Sequence, residues 1–494
     1  MMKKNNIYLF VTALLLLSGS LVSCNKFLDV QPKGTLPEDV QFSDEQGFKD
    51  ALYGVYALMG DQALYGENLS YGFVDKLGQM FKYINTANLD NEITKYEYTN
   101  LNVRPIIDNI WASQYSTIAA VNLIIKHAET TDLTGETMDI IKGEAYALRA
   151  FLHFDLVRLF CVRYADRSGK SGIPYAFEAD QNNKELFDIE GVYKNILADL
   201  DKAETLLQKD NTLNAPLGLS KDPYYDERYS ELNKYAVMAL KARVYYTMGD
   251  KTKAAEYARK VINADVVGSD ESGEVKGLAL TKPNEFKNIK NFPGTGEILF
   301  GIYADKQAQN IYDLFLTNPQ SGNFTEARKD LKALYETDKF TATNTDHRYA
   351  AFYKEESRGT FVYTRLIESE NELTQKTFRG IPLIRLPEMY YILSESLYDT
   401  NKEESIKLLN EVRASRGLEP ITDNSLDTKE NYIQEMLRER MREMPGEGQI
   451  FFAYKLYNLP ILDHTSSNQS FEPSEEIFVL PWPESEKEFG NVSK

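Results

Sequence analysis

The chain has 494 residues, and 43% of them are hydrophobic, which is enough for a large core and excludes a mainly disordered chain. Lys and Arg total 56 against 74 Asp and Glu. The resulting net charge of −18 argues against a nucleic-acid partner, because phosphates would be repelled. The four histidines are scattered along the sequence, so we expect no histidine-based zinc site.

The first predicted element is a targeting segment. Lys3 and Lys4 precede the apolar run 7–17, which is too short to span a membrane comfortably, so residues 1–23 read as a signal peptide. The string Leu21-Val22-Ser23-Cys24 looks like a lipobox, and we expect Cys24 to carry lipid. The alternative is an ordinary signal peptide with a chance cysteine. Since Cys161 is the only other cysteine, lipid on Cys24 would preclude an intramolecular disulfide.

Helices in pairs are predicted for much of the chain that follows. Apolar residues at three- and four-residue spacing indicate helices from 111 onwards and over 143–163, 231–248 and 386–398. The stripe of the second helix is Ala145, Leu148, Leu152, Leu156 and Leu159. Gly249 permits a helix end and Asp250 can cap a new helix. Asn401, with Glu404 three residues later, offers a capping box to another. Helix pairs joined by such turns are typical of tetratricopeptide-like scaffolds.

Two segments break this helical pattern. Residues 266–380 are richer in Gly, Pro, Asn, Asp and Thr, and the stretch 65–102 is similar. Within the first segment, the run from Glu297 to Tyr303 alternates enough to be a strand or an extended segment. The sequence therefore predicts a mainly α fold, in which a tetratricopeptide-like helical-pair scaffold carries an irregular loop-rich region packed on it.

Short motifs occur in a fixed order along most of the chain. They are Phe27-Leu28-Asp29 with Pro32, Ala51-Leu52-Tyr53-Gly54-Val55-Tyr56, Trp111 with Tyr115, Ile118 and Asn122, Gly143-Glu144-Ala145 with Leu148-Arg149-Ala150 and Phe154, Ile173-Pro174, Leu386 with Glu388 and Glu395, Leu409-Asn410-Glu411-Val412-Arg413 with Arg416 and Gly417, and Glu439-Arg440 with Glu443 and Glu447-Gly448. In this order, behind a lipobox, they resemble the RagB/SusD family of outer-membrane nutrient-binding lipoproteins.

The resemblance implies one SusD-like domain over 24–494 after a signal peptide over 1–23. The helical scaffold would occupy mainly 40–60, 105–265 and 381–457. The irregular, ligand-facing segments would be about 61–104 and 266–380. Arg149, Arg413, Glu439 and Arg440 lie in its motifs, and we expect such residues to form ion pairs between stacked helices.

Members of this family bind a glycan, or in some cases a peptide, as the lid of a SusC-like TonB-dependent transporter. The resemblance therefore implies a lipid-anchored protein of the outer membrane, facing the cell exterior, and no enzyme. The sequence offers no nucleophile motif, phosphate loop or metal spacing. We expect no cofactor; a structural calcium ion, as in some members, stays open. The alternatives are an assembly scaffold and, less favoured, a surface glycoside hydrolase.

Sugar rings stack on aromatic faces, while amides and carboxylates hold their hydroxyls. Mapping the family's ligand-facing segments onto this chain gives a set of candidate contact residues. They are Asp75, Gln79, Phe81, Tyr83, Asn88, Tyr96, Tyr98, Tyr303, Tyr312, Phe315 and Phe324. The alternative for each aromatic member is ordinary packing in the core or a loop.

Overall fold

The structure is a computed structural model that describes residues 37–83, 89–180, 182–210, 212–214, 222–226, 228–264, 267–268, 278–286, 295–304, 311, 314–315, 325–356, 359–366, 380–422, 424–463 and 469–489. The predicted signal peptide 1–23 and the predicted lipidation site Cys24 lie outside these residues, as do parts of both predicted irregular segments.

Helices account for most of the regular structure. They are α1 Glu38–Gln41, α2 Glu45–Met59, α3 Phe73–Leu77, α4 Leu89–Thr94, α5 Arg104–Thr130, α6 Glu136–Phe160, α7 Ile189–Leu206, α8 Lys234–Met248, α9 Lys251–Ile262, α10 Pro283–Phe286, α11 Leu331–Leu334, α12 His347–Phe352, α13 Leu386–Leu397, α14 Lys402–Ser415, α15 Lys429–Glu443, α16 Ile450–Tyr457, α17 Glu475–Phe478 and α18 Glu484–Phe489. The prediction of a mainly α fold is confirmed.

The predicted turns between paired helices form as expected. Gly249 ends α8 in the left-handed conformation, with φ +81°, which favours glycine. The Asp250 side chain accepts a hydrogen bond from the N–H of Lys253 at 3.0 Å and so caps α9. Asn401 caps α14 through the N–H of Glu404 at 3.2 Å, and its amide also donates to the Glu404 side chain at 2.9 Å. These local signals set the boundaries of the α8–α9 and α13–α14 pairs.

Helix α6 is the centre of the scaffold. It packs against α5 on one side and α7 on another. The sequence predicts one apolar stripe on this helix, but every residue from Gly143 to its end is buried. Polar members of this run, such as Glu144 and Arg149, are buried as well. The predicted apolar stripe is buried, and neighbouring elements cover the other sides of α6 as well.

Ion pairs join stacked helices, as the sequence predicts. The guanidinium of Arg149 on α6 donates twice to the Asp199 carboxylate on α7, at 2.7 Å each. Arg440 on α15 contacts Glu395 on α13 at 2.8 Å. Arg413 on α14 contacts Glu439 on α15 at 3.1 Å. Buried arginine forks of this kind fix how one helix sits on the next.

The strands are short. They are β1 Phe81–Tyr83, β2 Ser171–Pro174, β3 Leu186–Asp188, β4 Thr212–Asn214, β5 Val267–Gly268, β6 Ile298–Ile302, β7 Thr325–Ala327, β8 Tyr353–Glu355, β9 Phe361–Tyr363, β10 Ile381–Arg385, β11 Ile461–Leu462 and β12 Ser470–Phe471. One antiparallel sheet has the order β1-β7-β9-β8, so it joins the two segments that the sequence predicts to be irregular.

Strand β6 pairs with β10 in an antiparallel ribbon, with Ile302 opposite Ile381. The sequence predicts an alternating strand here, yet all five residues of β6 are buried. Both of its faces are covered, so the apolar run is nearly continuous instead of alternating. The ribbon brings the middle of the chain onto the helical scaffold.

The core is one large apolar cluster that runs from Phe42 near the start of the described residues to Leu480 near their end. A smaller cluster, which includes Tyr391, Leu409 and Tyr432, lies among α13, α14 and α15. Within the described part of the chain, no helix combines the length and apolar character that a membrane span needs.

Candidate ligand-binding surface

Most of the predicted contact residues that the structure describes lie in the interior. These buried residues are Asp75, Gln79, Phe81, Tyr96, Tyr98 and Phe315. The Phe81 ring lies 5.2 Å from the Phe315 ring, so the two predicted groups do meet. The contact between them is part of the hydrophobic core. The Tyr363 ring packs against the Phe81 ring at 4.9 Å and against the Phe315 ring at 5.2 Å.

The polar ends of these buried residues bind the protein itself. Gln79 donates to the Thr94 carbonyl at 2.8 Å, and the Tyr96 hydroxyl donates to that of Leu77 at 2.8 Å. The Tyr98 hydroxyl donates to the Ile477 carbonyl at 2.7 Å. Burial also raises the pKa of Asp75 well above its usual range. Ligand contact by these residues stays a prediction.

Four other predicted contact residues fall partly or wholly outside the described structure. The backbone of Tyr83 ends β1 and pairs with Thr325, but its side chain is not described. Asn88, Tyr312 and Phe324 lie outside the described residues.

Tyr303 is the predicted contact residue that the structure places at the surface. It follows β6 and is 42% exposed. Its hydroxyl lies 3.3 Å from that of Tyr229, which is partly exposed. The end of α2 comes very close, since a Cβ atom on Gly60 would lie 2.9 Å from the Tyr303 carbonyl oxygen. Tyr303 is therefore fixed between α2 and the turn that carries Tyr229.

Further tyrosines extend this surface along α2. Tyr53 is 41% exposed, and its ring lies 6.4 Å from that of Tyr224. The Tyr224 ring lies 5.7 Å from that of Tyr225. Tyr224 itself is buried, so we name Tyr53, Tyr225, Tyr229 and Tyr303 the tyrosine surface. The first three of these are not among the contact residues predicted from the sequence, although the run Pro223–Ser230 places three tyrosines among charged residues.

A buried acidic cluster lies beneath the tyrosine surface. The Arg228 guanidinium contacts Glu144 at 2.6 Å, Asp210 at 2.9 Å and Glu231 at 3.2 Å. The Tyr224 hydroxyl also donates to Glu144, at 2.7 Å. Three carboxylates thus share one guanidinium, which leaves the cluster short of positive charge.

The excess of carboxylates is visible in the pKa values. Burial, reinforced by the charge of Glu144, raises the pKa of Glu231 to about 8. Burial and the charge of Glu231 raise the pKa of Tyr53 to about 12. With a pKa of about 8, Glu231 keeps its proton near neutral pH, so the carboxylates beneath the tyrosine surface do not all carry a charge. The surface itself presents neutral tyrosine hydroxyls and aromatic rings.

Among the described residues, no group of three or more His, Cys, Asp or Glu side chains is arranged to hold a metal ion. The buried Arg228 cluster fits this finding, because its carboxylates already surround a guanidinium. What the surface can do chemically is stack a ring and exchange hydrogen bonds with hydroxyl groups.

Family comparisons agree with the fold. A sequence model of the SusD family matches residues 204–459. The chain belongs to the SusD family. A second SusD-like model, described as starch-binding and associating with the outer membrane, matches residues 26–246. The resemblance predicted from the motifs is confirmed.

Two curated relatives come from Formosa agariphila. SusD-like protein P2 is 27% identical over 274 residues, which is 53% of this chain and 46% of P2. The chain therefore matches just under half the length of that relative. SusD-like protein P38 is 24% identical over 480 residues, which is 89% of each chain.

Solved structures of the SusD superfamily share the fold. A SusD superfamily protein from Bacteroides thetaiotaomicron is 23% identical with a TM-score of 0.72, covering 90% of this chain and 98% of the other. A SusD-like carbohydrate binding protein from Bacteroides vulgatus is 17% identical with a TM-score of 0.69, covering 90% and 96%. At these identities the likeness describes the fold alone.

Proposed function

We propose that this SusD-family chain is a lipid-anchored protein of the outer membrane that binds carbohydrate and acts as the lid of a SusC-like TonB-dependent transporter. Family membership over 204–459 is the observation that carries the proposal. The description of the second matching model as starch-binding and outer-membrane-associated supports it, as does the name of the similar Bacteroides vulgatus protein.

The tyrosine surface is the ligand site in this proposal. Tyr53 and Tyr303 expose aromatic faces of the kind that meet the C–H face of a sugar ring. Tyrosine hydroxyls can both donate to and accept from sugar hydroxyls. The net charge of −18 of the whole chain favours a neutral glycan over an acidic one. A peptide is the second ligand class that the family resemblance allows.

The anchor in this proposal is lipid on Cys24. Each acyl methylene buried in the membrane contributes about 0.8 kcal/mol, and several chains together hold a protein stably. Cys161 is unsuited to this role, because it is buried at the end of α6 and burial raises the pKa of its thiol to about 12.

An affinity pull-down from detergent-solubilised outer membrane tests the lid role. The tagged full-length chain should recover a TonB-dependent barrel in stoichiometric amount, read by mass spectrometry. Cys24→Ala should remove the chain from the membrane fraction, whereas the matched control Cys161→Ala should leave it there. The lipoprotein recovered alone, in detergent that keeps such complexes intact, would contradict the lid role. Turnover of a polysaccharide would instead favour the hydrolase alternative.

A further inference from the structure

A groove of about 710 Å³ opens between the β2–β3 hairpin and the C-terminal segment. Its lining residues are Ser171, Gly172, Leu186, Pro481, Trp482, Glu484, Lys487 and Glu488. The volume falls within the range of about 300–1,000 Å³ that is typical of small-molecule sites. A second cavity beside Arg158 and Lys455 holds about 60 Å³, which is room for only a few waters. The groove shares no residue with the tyrosine surface.

The indole of Trp482 is fixed in place before any ligand arrives. Its ring packs on that of Trp111 at 4.9 Å, and its backbone carbonyl accepts a hydrogen bond from Arg104. Just upstream, the N–H of Leu480 donates to the Leu159 carbonyl at 2.9 Å. Trp482 is nevertheless only partly buried. A rigid, accessible aromatic face binds a ring with little cost in conformational entropy.

Charged side chains line the groove beside this face. Glu484, Lys487 and Glu488 share one side of α18 through their three- and four-residue spacing. The Lys487 ammonium lies 2.8 Å from the Glu484 carboxylate, and this hydrogen bond lowers the pKa of Glu484. Ser171 is exposed on the facing wall. Carboxylate acceptors with ammonium and hydroxyl donors match sugar hydroxyls, which need both.

The balance of charge narrows the ligand class. The two carboxylates of the lining face two cations, Lys487 and the Arg104 guanidinium 3.8 Å from Glu484, so the excess of negative charge is that of the whole chain, −18. Uronate or sulfated sugars would be repelled. We propose that this groove binds a neutral carbohydrate ring stacked on Trp482, as a site separate from the tyrosine surface. The proposal rests on the carbohydrate-binding function proposed above.

Tryptophan fluorescence can test the groove directly. The chain has only two tryptophans, and Trp111 and Trp482 lie against each other at this site. A sugar stacked in the groove should change the emission, whereas a sugar bound at the tyrosine surface should not. The full-length chain in detergent is titrated with maltotriose, cellotriose, xylotriose and mannotriose, and with trigalacturonate as the acidic control. We expect a saturable change with at least one neutral sugar and none with trigalacturonate.

Variants separate groove binding from misfolding. Trp482→Ala removes the packing on Trp111, so Ser171→Tyr, which fills the groove from an exposed position, is the main variant. It should weaken the affinity at least tenfold. The matched control is Ser485→Tyr. Ser485 is exposed on α18 outside the groove lining, so this substitution should change the affinity less than twofold.

Two results would overturn the groove proposal. One is equal affinity in wild type and Ser171→Tyr. The other is the absence of any emission change with all four neutral sugars. If calorimetry then detects heat of binding without an emission change, carbohydrate binding stands and the groove site fails. The pull-down of the transporter barrel tests the lid role independently of either result.

Discussion

Asp75 illustrates how burial decides the chemistry of a single side chain. Its Oδ2 accepts the N–H of Gly446 at 2.5 Å, while its Oδ1 has no hydrogen-bond partner among the described residues. Burial raises its pKa well above the usual range, and the charge of Glu447 adds to this, while the backbone N–H groups of Gly446 and Gly448 oppose it. The folded protein therefore holds a proton on Asp75 that the unfolded chain releases above about pH 4.

This difference makes a prediction for Asp75→Asn. The wild type loses stability as the pH rises from about 4 through the raised pKa, because only its folded state must keep the proton. The amide does not titrate and retains an acceptor for Gly446. Relative to wild type, the free energy of unfolding of Asp75→Asn should therefore increase between pH 5 and pH 8, by about 1.4 kcal/mol for each pH unit that lies below the raised pKa. Urea unfolding at the two pH values measures the difference.

Asp132→Asn, at an exposed position, is the matched control and should show no such pH-dependent gain. The same pair of variants also tests the ligand role that the sequence predicts for Asp75. Unchanged stability together with a loss of carbohydrate affinity in Asp75→Asn would make it a ligand contact. A gain in stability at unchanged affinity would make it a core residue.

At the scale of elements, buried ion pairs determine how separate parts of the chain meet. Arg416, just after α14, contacts Glu297 ahead of β6 at 2.9 Å and Glu443 at the end of α15 at 2.9 Å. Arg385 at the end of β10 also contacts Glu443, at 2.7 Å. All four side chains are almost wholly buried. Burial alone would raise the pKa of Glu443. The charges of Arg416 and Arg385 outweigh this effect and lower that pKa well below its usual range.

Removing Arg416 should therefore be costly. Arg416→Met leaves Glu297 and Glu443 buried with fewer positive partners, and breaking a buried pair typically costs about 3–5 kcal/mol. Arg259→Met is the matched control, because Arg259 pairs with Glu404 at 2.8 Å on the exposed surface of α9 and α14. It should cost no more than about 1 kcal/mol. Urea denaturation compares the two, and equal losses would contradict a structural role for the Arg416 network.

Elements with local signals were predictable from the sequence. The Gly249–Asp250 turn and the Asn401 cap depend on residues a few positions apart, and they form as predicted. The sheet was not predictable in this way. β1 pairs with β7 across more than two hundred residues, with Phe81 opposite Ala327, and no local pattern encodes that pairing. The burial of α6 on every side likewise comes from tertiary packing.

The candidate site was predictable only in part, because aromatic residues serve the core and a binding surface equally well. Phe81, Phe315 and Tyr303 all lie in the segments that the family resemblance marks as ligand-facing, yet only Tyr303 is exposed. Tyr53 and Tyr56 belong to the same sequence motif. Tyr53 is exposed, whereas Tyr56 is buried and its hydroxyl donates a hydrogen bond to Glu144 at 2.8 Å. Which aromatic ring reaches solvent is decided by packing between distant segments.

At the scale of the whole molecule, one continuous core joins distant parts of the chain, so the described residues show no boundary between separate domains. The main apolar cluster includes residues from Phe42 to Leu480. The two family matches overlap over 204–246, which includes most of α8. From α8, Arg243 reaches Glu388 on α13 at 2.6 Å, and β6 pairs with β10. The N-terminal helices and the C-terminal helices are thus held by shared contacts.

We therefore predict one cooperative unfolding transition for the chain without residues 1–24. Tryptophan emission reports the contact of Trp111 on α5 with Trp482 near the C-terminus, while far-UV circular dichroism reports all the helices. If the core is one unit, both signals should change at the same urea concentration and a calorimetric scan should show a single peak. If the emission changed at lower urea than the dichroism, the C-terminal segment would open before the scaffold. The Trp482 groove would then belong to a less stable part of the molecule, and carbohydrate bound there should shift the emission midpoint alone.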